Sequence, residues 1–218
     1  LSMDTYLENK NMIDGQVKPL SNIEPSILEA LYNIDRKDYI PENFRDFSYF
    51  EKNVYIGNGR YLPKPAITAK ILSALKVETL ETVLIIGSAT GYSAAITSKI
   101  AETVICIEED QDLITFSETI ASINSTNNIV FINNKLSKGY IDQGPYSCIL
   151  IEGGIEEVPN IILDQIAEGG KLVTVIIQND TGSAVKYIRK NNQIISQFLF
   201  SIEAPLLKSF EKAKKFKF

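Results

Sequence analysis

The sequence predicts an α/β fold. A mostly parallel sheet ends in an antiparallel hairpin, and a helical amino-terminal extension precedes it. Three observations point there. From Glu81 onward, short apolar runs alternate with helical stretches, as in a parallel sheet covered on both faces. The end breaks the alternation, because Ala184–Arg189, the turn Asn191-Asn192 and Ile194–Ser201 read as two strands and their connection. The first 75 or so residues carry helical patterns and a loop-rich stretch instead.

Asp4–Met12 and Glu24–Ile34 read as helices, with Asn22 as a capping residue for the second and Pro25 in its first turn. Lys37–Arg60 is loop-rich, with Pro41, Gly57 and Gly59. Pro65–Leu75 is a helix with Ile67, Ile71, Leu72 and Leu75 at its apolar positions. Then come strand Val83–Ile86, helix Tyr92–Ala101, strand Val104–Ile107, helix Asp110–Ile123, strand Ile129–Ile132, strand Cys148–Ile151, helix Ile161–Ala167 and strand Lys171–Ile177. This divides the chain into a substrate-side helical segment (3–76), a cofactor-binding α/β unit (77–210) and a basic tail (211–218).

Length and composition narrow the class. The 218 residues suit one domain, and a net charge of −5 implies no broad basic surface for nucleic acid. The one basic cluster is the tail, with Lys212, Lys214, Lys215 and Lys217, which reads as a solvated terminus or an interaction tail. No stretch resembles a membrane span or a signal peptide, so a cytoplasmic location is expected. Leu1-Ser2 reads as a cloning remnant ahead of a native Met3. Cys106 and Cys148 fall in expected buried strands and read as free core thiols. Histidine is absent, which removes the commonest general base, and no zinc site is expected.

The run Val83-Leu84-Ile85-Ile86-Gly87-Ser88-Ala89-Thr90-Gly91-Tyr92 is a strand, a small-residue loop and a helix start. Such a turn lets backbone approach a ligand and presents free N–H groups. Glu108 stands about 20 residues after Gly87 at the tip of the next strand, where an acid grips ribose in doubly wound folds. The glycine spacing fits Gly-x-Gly-x-Gly, with Ala89 in the middle, better than the dinucleotide Gly-x-Gly-x-x-Gly, because position 92 is Tyr. The expected cofactor is therefore S-adenosylmethionine, and the expected fold is class I AdoMet-methyltransferase-like (Rossmann-like). A loop that merely turns the chain is the plainer alternative.

The chain resembles the protein-L-isoaspartate O-methyltransferase family over most of its length. Asn11–Val17 is similar to that family's opening Met-Val-x-x-Gln-Leu, and Tyr39–Phe44 to its Val-Pro-Arg-Glu-x-Phe. Tyr55–Arg60 is similar to Pro-Ile-Gly-x-Gly-Gln, and Asp164–Val173 to Gln-Leu-x-x-Gly-Gly-Arg-Leu-Val. The resemblance implies methylation of an isoaspartyl carboxylate in damaged proteins, with closure to a succinimide. The nucleophile is already ionised at neutral pH and the leaving group is a neutral thioether. Alignment would then do most of the work, and no catalytic residue is assigned. The chain departs from the family pattern at Pro63 (family Ser), Ala66 (family His), Ile85 (a family carboxylate near the methionine end of the cofactor) and Asn133-Asn134 (family Gly-Asp). Losing one charge-assisted bond at position 85 is worth about 1.5–3 kcal/mol, or roughly ten- to hundredfold in affinity.

The expected cofactor residues are Gly87, Ser88, Ala89, Thr90, Gly91, Tyr92, Glu108, Glu109, Asn134, Glu152 and Gly153. Tyr92 has packing beneath the loop as its alternative. For Glu109 the alternative is plain solvation, for Gly153 a simple turn, and Asp110 reads as a helix cap. Gly59, Arg60 and Lys64 are the substrate-side candidates, with ordinary exposed loop cations as the alternative reading of the two bases. A scaffold protein on a methyltransferase fold, a methyltransferase with a changed acceptor and a nucleotide-dependent oxidoreductase are the competing functions.

Overall fold

The computed structural model describes residues 3–210, so Leu1-Ser2 and the basic tail from 211 lie outside the described residues. Strands β1 (Val54–Gly57) and β2 (Arg60–Leu62) form a small antiparallel hairpin. The main sheet has seven strands: β3 (Thr82–Ile86), β4 (Thr103–Glu108), β5 (Ile129–Asn133), β6 (Tyr146–Ile155), β7 (Ile166–Gln178), β8 (Thr181–Lys190) and β9 (Gln193–Ser201), in the order β5-β4-β3-β6-β7-β8-β9. The first five in that order run parallel, and β8 and β9 add antiparallel to β7. Chain order reverses at β3, between β4 and β6. In open α/β sheets the crevice for a ligand opens at the carboxyl ends of the strands at such a point, and the loop after β3 begins there with Gly87.

Successive strand residues point to opposite faces, and β3 shows why its run is apolar throughout. Val83 and Ile85 enter the core shared with the amino-terminal helices, whereas Leu84 and Ile86 enter the core on the other face. The helices on the first face are α1 (Met3–Met12), α2 (Pro25–Asn33), α3 (Pro65–Leu75) and α4 (Tyr92–Ser98), with α5 (Gln111–Ile123) beside β4 and β5. The second face is covered by α6 (Asn160–Leu163), short 3-10 turns and the chain around Leu207 and Phe210. Cys106 and Cys148 are free and buried, and burial pushes the Cys148 thiol up to about 12.

The expected elements are present; β6 and β7 run longer than the expected Cys148–Ile151 and Lys171–Ile177, and three helices differ in extent. Helix α2 starts at Pro25 with Glu24 in the cap position, while Asn22 turns the chain at φ +61. Proline holds its predecessor extended, so helix cannot begin before it. Helix α4 ends at Ser98, short of the expected Ala101, and Asn128 Nδ2 takes up the freed carbonyls of Ser98 (2.9 Å) and Ala101 (3.2 Å). The helix expected over Ile161–Ala167 is a single turn. Buried Gln165 is tied to Tyr140 N, Lys138 O and Ile161 O, and Ile166 is already paired with Tyr146 on β6. Tertiary pairing there overrides local helical pattern.

The hairpin β1–β2 falls in a stretch expected to be loop. Its signal was Gly57-Asn58-Gly59, all three at positive φ, in strands too short to show alternation. The β8–β9 turn has Asn191 and Asn192 at φ +52 and +60, the conformation that matches the twist of a two-residue hairpin. Among the described residues no helix is long and apolar enough to cross a membrane.

Candidate functional site

The β3–α4 loop is held in shape by the carboxylate that follows it in space. Glu108, 1% exposed, ends β4 beside β3. Its Oε2 accepts from Ala89 N at 2.9 Å, and its Oε1 accepts from Glu109 N at 3.0 Å and Asp110 N at 3.3 Å. Ala89 sits in the left-handed region at φ +50, uncommon for a residue with a Cβ. Glu108 fixes its N–H and Ser117 Oγ donates to its carbonyl at 3.1 Å, so both peptide groups are over-determined. Gly87, at φ +80, leaves a bare face toward the cleft.

That face is covered by side chains from elsewhere. A Cβ at Gly87 would lie 3.4 Å from Arg60 Nη2 and 3.4 Å from Leu207 Cδ1. Arg60, the first residue of β2, donates from Nη1 to Glu108 Oε1 at 2.6 Å and from Nη2 to Gly87 O at 3.0 Å. Leu207 also fills the space beside Gly153, where a Cβ would meet its side chain at 2.5 Å, and Gly153 itself is at φ +150. The carboxyl-terminal strap is pinned across the cleft by Gly154 N to Pro205 O and Leu207 N to Gly154 O, both 2.8 Å, and by Ser209 to Glu109.

Glu152, on β6 next to the loop, accepts from Ser93 Oγ at the start of α4, and its other oxygen is shielded from solvent with no partner. Burial raises its carboxyl to about 7, against the opposing pulls of Ser93, Arg60 and Arg36. The sign follows directly. The folded protein keeps this proton up to about pH 7, whereas the unfolded chain releases it near the ordinary value of 4.5. Stability therefore falls as pH rises from about 4.5 to about 7 and is flat above. Glu152→Gln removes that slope, and its stability relative to the parent should improve between pH 5 and pH 8, on the order of 2 kcal/mol given partial exposure. Urea unfolding of both proteins at the two pH values measures this, and parallel curves would show that Glu152 is ionised throughout.

Beneath the loop lies a buried cation. Arg36 is 0% exposed, donates to Ser48 O (2.9 Å) and Pro63 O (2.7 Å), and stacks 5.1 Å from the centre of the Tyr92 ring. Burial lowers its pKa, yet a guanidinium stays charged. Tyr92 is fully buried against Tyr39, 5.4 Å between ring centroids, and burial raises its hydroxyl to about 12. It packs under the loop.

The structure thus brings Gly87, Ala89, Glu108, Arg60, Glu152 and Gly153 together at one site. Ser88, Thr90 and Tyr92 are buried in or beneath the loop. Asp110 caps α5, accepting from Asp112 N and Leu113 N. Asn134 is bound to its own turn through Gly139 O and Lys135 N, and Lys64 lines a separate groove with Glu51 and Lys70. Gly59 lies beside Lys208 of the strap. Ile85 is buried in the core. Sequence reading missed Arg36, Ser93 and Leu207. Arg36 stands in the charged run Asp35-Arg36-Lys37-Asp38, which reads as solvated, and Leu207 follows the sheet with no pattern of its own.

The donor set suits an adenosylated sulfonium. Glu108 can offer a ribose hydroxyl the position now taken by Arg60 Nη1, Gly87 has no side chain on the face that Arg60 and Leu207 cover, and the unpartnered Glu152 oxygen is a place for a cation. Arg60 and Leu207 now occupy that ground and would have to yield it.

The model of the family "Protein-L-isoaspartate(D-aspartate) O-methyltransferase" matches residues 7–202. A protein-L-isoaspartate O-methyltransferase of Methanoculleus marisnigri is 26% identical over 188 residues, 86% of this chain and 85% of the relative. One from Helicobacter pylori is 28% identical over 173 residues, 79% and 83% of the two chains. Among solved structures, a Plasmodium falciparum protein assigned as a protein-L-isoaspartate O-methyltransferase, in complex with S-adenosyl-L-homocysteine, superposes with a TM-score of 0.77. It is 22% identical, and the match covers 94% of this chain and 98% of that one. A second protein-L-isoaspartate O-methyltransferase gives 0.76 at 18% identity, covering 94% of this chain and 65% of the other. These two likenesses bear on the fold.

Proposed function

We propose, for a chain that belongs to the protein-L-isoaspartate(D-aspartate) O-methyltransferase family, transfer of a methyl group from S-adenosylmethionine to the free carboxylate of an isoaspartyl residue in a damaged protein. The enzyme is an S-adenosylmethionine-dependent O-methyltransferase. The observation that carries the residue assignments is the β3–α4 loop at the reversal of strand order, with the Glu108 carboxylate one strand away.

When bound, S-adenosylmethionine supplies an electrophilic methyl group on a sulfonium centre. Gly87 gives it a close backbone approach, Glu108 accepts from a ribose hydroxyl, and Glu152 offers its free oxygen to the cationic methionine end. Glu152 thereby stands in for the acid that Ile85 replaces. Arg36 holds the Pro63 carbonyl and so sets the path of the segment between β2 and α3. The attacking carboxylate needs no base, so catalysis is positioning, and a chain without histidine can perform it. Residues 3–76 form the substrate side and 77–210 the cofactor side. The same reading places the reaction in the cytoplasm, on proteins whose aspartyl linkages have isomerised.

Incubation with methyl-labelled S-adenosylmethionine and a peptide containing one isoaspartyl residue tests this. Base-labile label is expected in that peptide and not in its aspartyl counterpart. Absence of label from both would remove isoaspartyl methylation as the activity.

A further inference from the structure

We propose that Arg60 is the receptor for the acceptor's carboxylate, held on Glu108 until the cofactor displaces it, so that cofactor binds first and acceptor second. This rests on the methyltransferase reading above and adds to it a residue and an order.

Glu108 cannot serve two masters at its outer edge. Its carboxylate already takes three backbone N–H groups, and the remaining approach is filled by Arg60 Nη1 at 2.6 Å. The second guanidinium nitrogen lies on the bare face of Gly87, bonded to its carbonyl at 3.0 Å. A ribose seated on Glu108 must remove both contacts. The pair is secluded, with side-chain exposures of 14% for Arg60 and 1% for Glu108, so it is weakly screened and competes effectively.

Displacement leaves a guanidinium without its carboxylate at the mouth of the cleft. Its anchor is β2, paired to β1 through Val54–Leu62 and Tyr55–Tyr61, so it can swing only locally. Guanidinium binds carboxylate through two parallel hydrogen bonds. The acceptor is itself a carboxylate, and the charged groups around Arg60 are Glu108, bonded to it, Glu152, Asp110, which is held by Asn58 at 2.6 Å, and Lys208 beside Gly59. With Glu108 taken, Glu152 facing the cofactor's cation and Asp110 bound to Asn58 and to the N–H groups that start α5, the incoming carboxylate is a partner for the released guanidinium.

Calorimetric titration of the full chain with S-adenosylhomocysteine separates the cases, using Arg60→Ala and, to keep an unbranched side chain without a donor, Arg60→Met. Both variants should bind S-adenosylhomocysteine tighter than the parent by about tenfold, since they no longer compete for Glu108. In the methyl-transfer assay their KM for the isoaspartyl peptide should rise by at least about tenfold with kcat changed far less. Unchanged or weaker S-adenosylhomocysteine binding overturns the latch. Tighter binding with unchanged peptide KM overturns the receptor role. No binding by parent and variants alike overturns the cofactor reading on which both rest.

Discussion

Glu108→Ala should weaken S-adenosylhomocysteine binding by roughly ten- to hundredfold and also weaken the fold. The charge-assisted hydrogen bond that a ribose hydroxyl makes in the place of Arg60 is worth about 1.5–3 kcal/mol, roughly ten- to hundredfold in affinity. The same carboxylate satisfies the N–H groups of Ala89, Glu109 and Asp110 and neutralises Arg60. Removing it orphans partly buried donors at about 1–3 kcal/mol apiece, and it frees Ala89 from its left-handed conformation. Glu108→Gln separates the two effects. It keeps the shape and one acceptor but turns an N–H donor toward Arg60 or Ala89, so binding should fall nearly as far while the urea midpoint falls less. Calorimetric titration beside urea unfolding reads both. Near-parental affinity in Glu108→Gln would mean that the ribose lies elsewhere.

Arg36→Met should lower stability by about 3 kcal/mol, a fall of roughly 6–12 °C in melting temperature for a domain of this size. Two effects oppose each other. A buried guanidinium without a bonded carboxylate carries a desolvation cost that methionine removes. Against this, the substitution strips the donors from Ser48 O and Pro63 O and the cation from the Tyr92 face. Charge-assisted bonds to both carbonyls, at about 1.5–3 kcal/mol each, with a cation–π contact of about 0.5–2 kcal/mol, outweigh that relief. Arg36→Lys should not rescue, because a point ammonium cannot span Ser48 and Pro63 as the fork does. A melting temperature at or above the parent's would show that desolvation governs this site.

The departures at Pro63, Ala66 and Ile85 take on different weights in three dimensions. Pro63 still works through its carbonyl, which no side-chain comparison reveals. Ala66 lies in the buried first turn of α3. Ile85 packs in the core, and a second acid beside the loop comes instead from Glu152 of β6, which is bonded to Ser93 at the start of α4 and whose neighbour Gly153 also reads as a plain turn residue.

The alternation of strands and helices, the hairpin at the end, the glycine loop and the acid one strand on are legible in the residues alone. These features are local or periodic, because a buried parallel strand must be apolar throughout and a turn at positive φ selects its residues. The folded arrangement alone shows that Arg60 reaches Glu108 across 48 residues, that Leu207 lies on Gly87 and Gly153, that Arg36 is buried under Tyr92, and that the segment after Ile161 is strand from Ile166. Each of these depends on which strand lies beside which, and pairing between distant segments leaves no period in the chain to read.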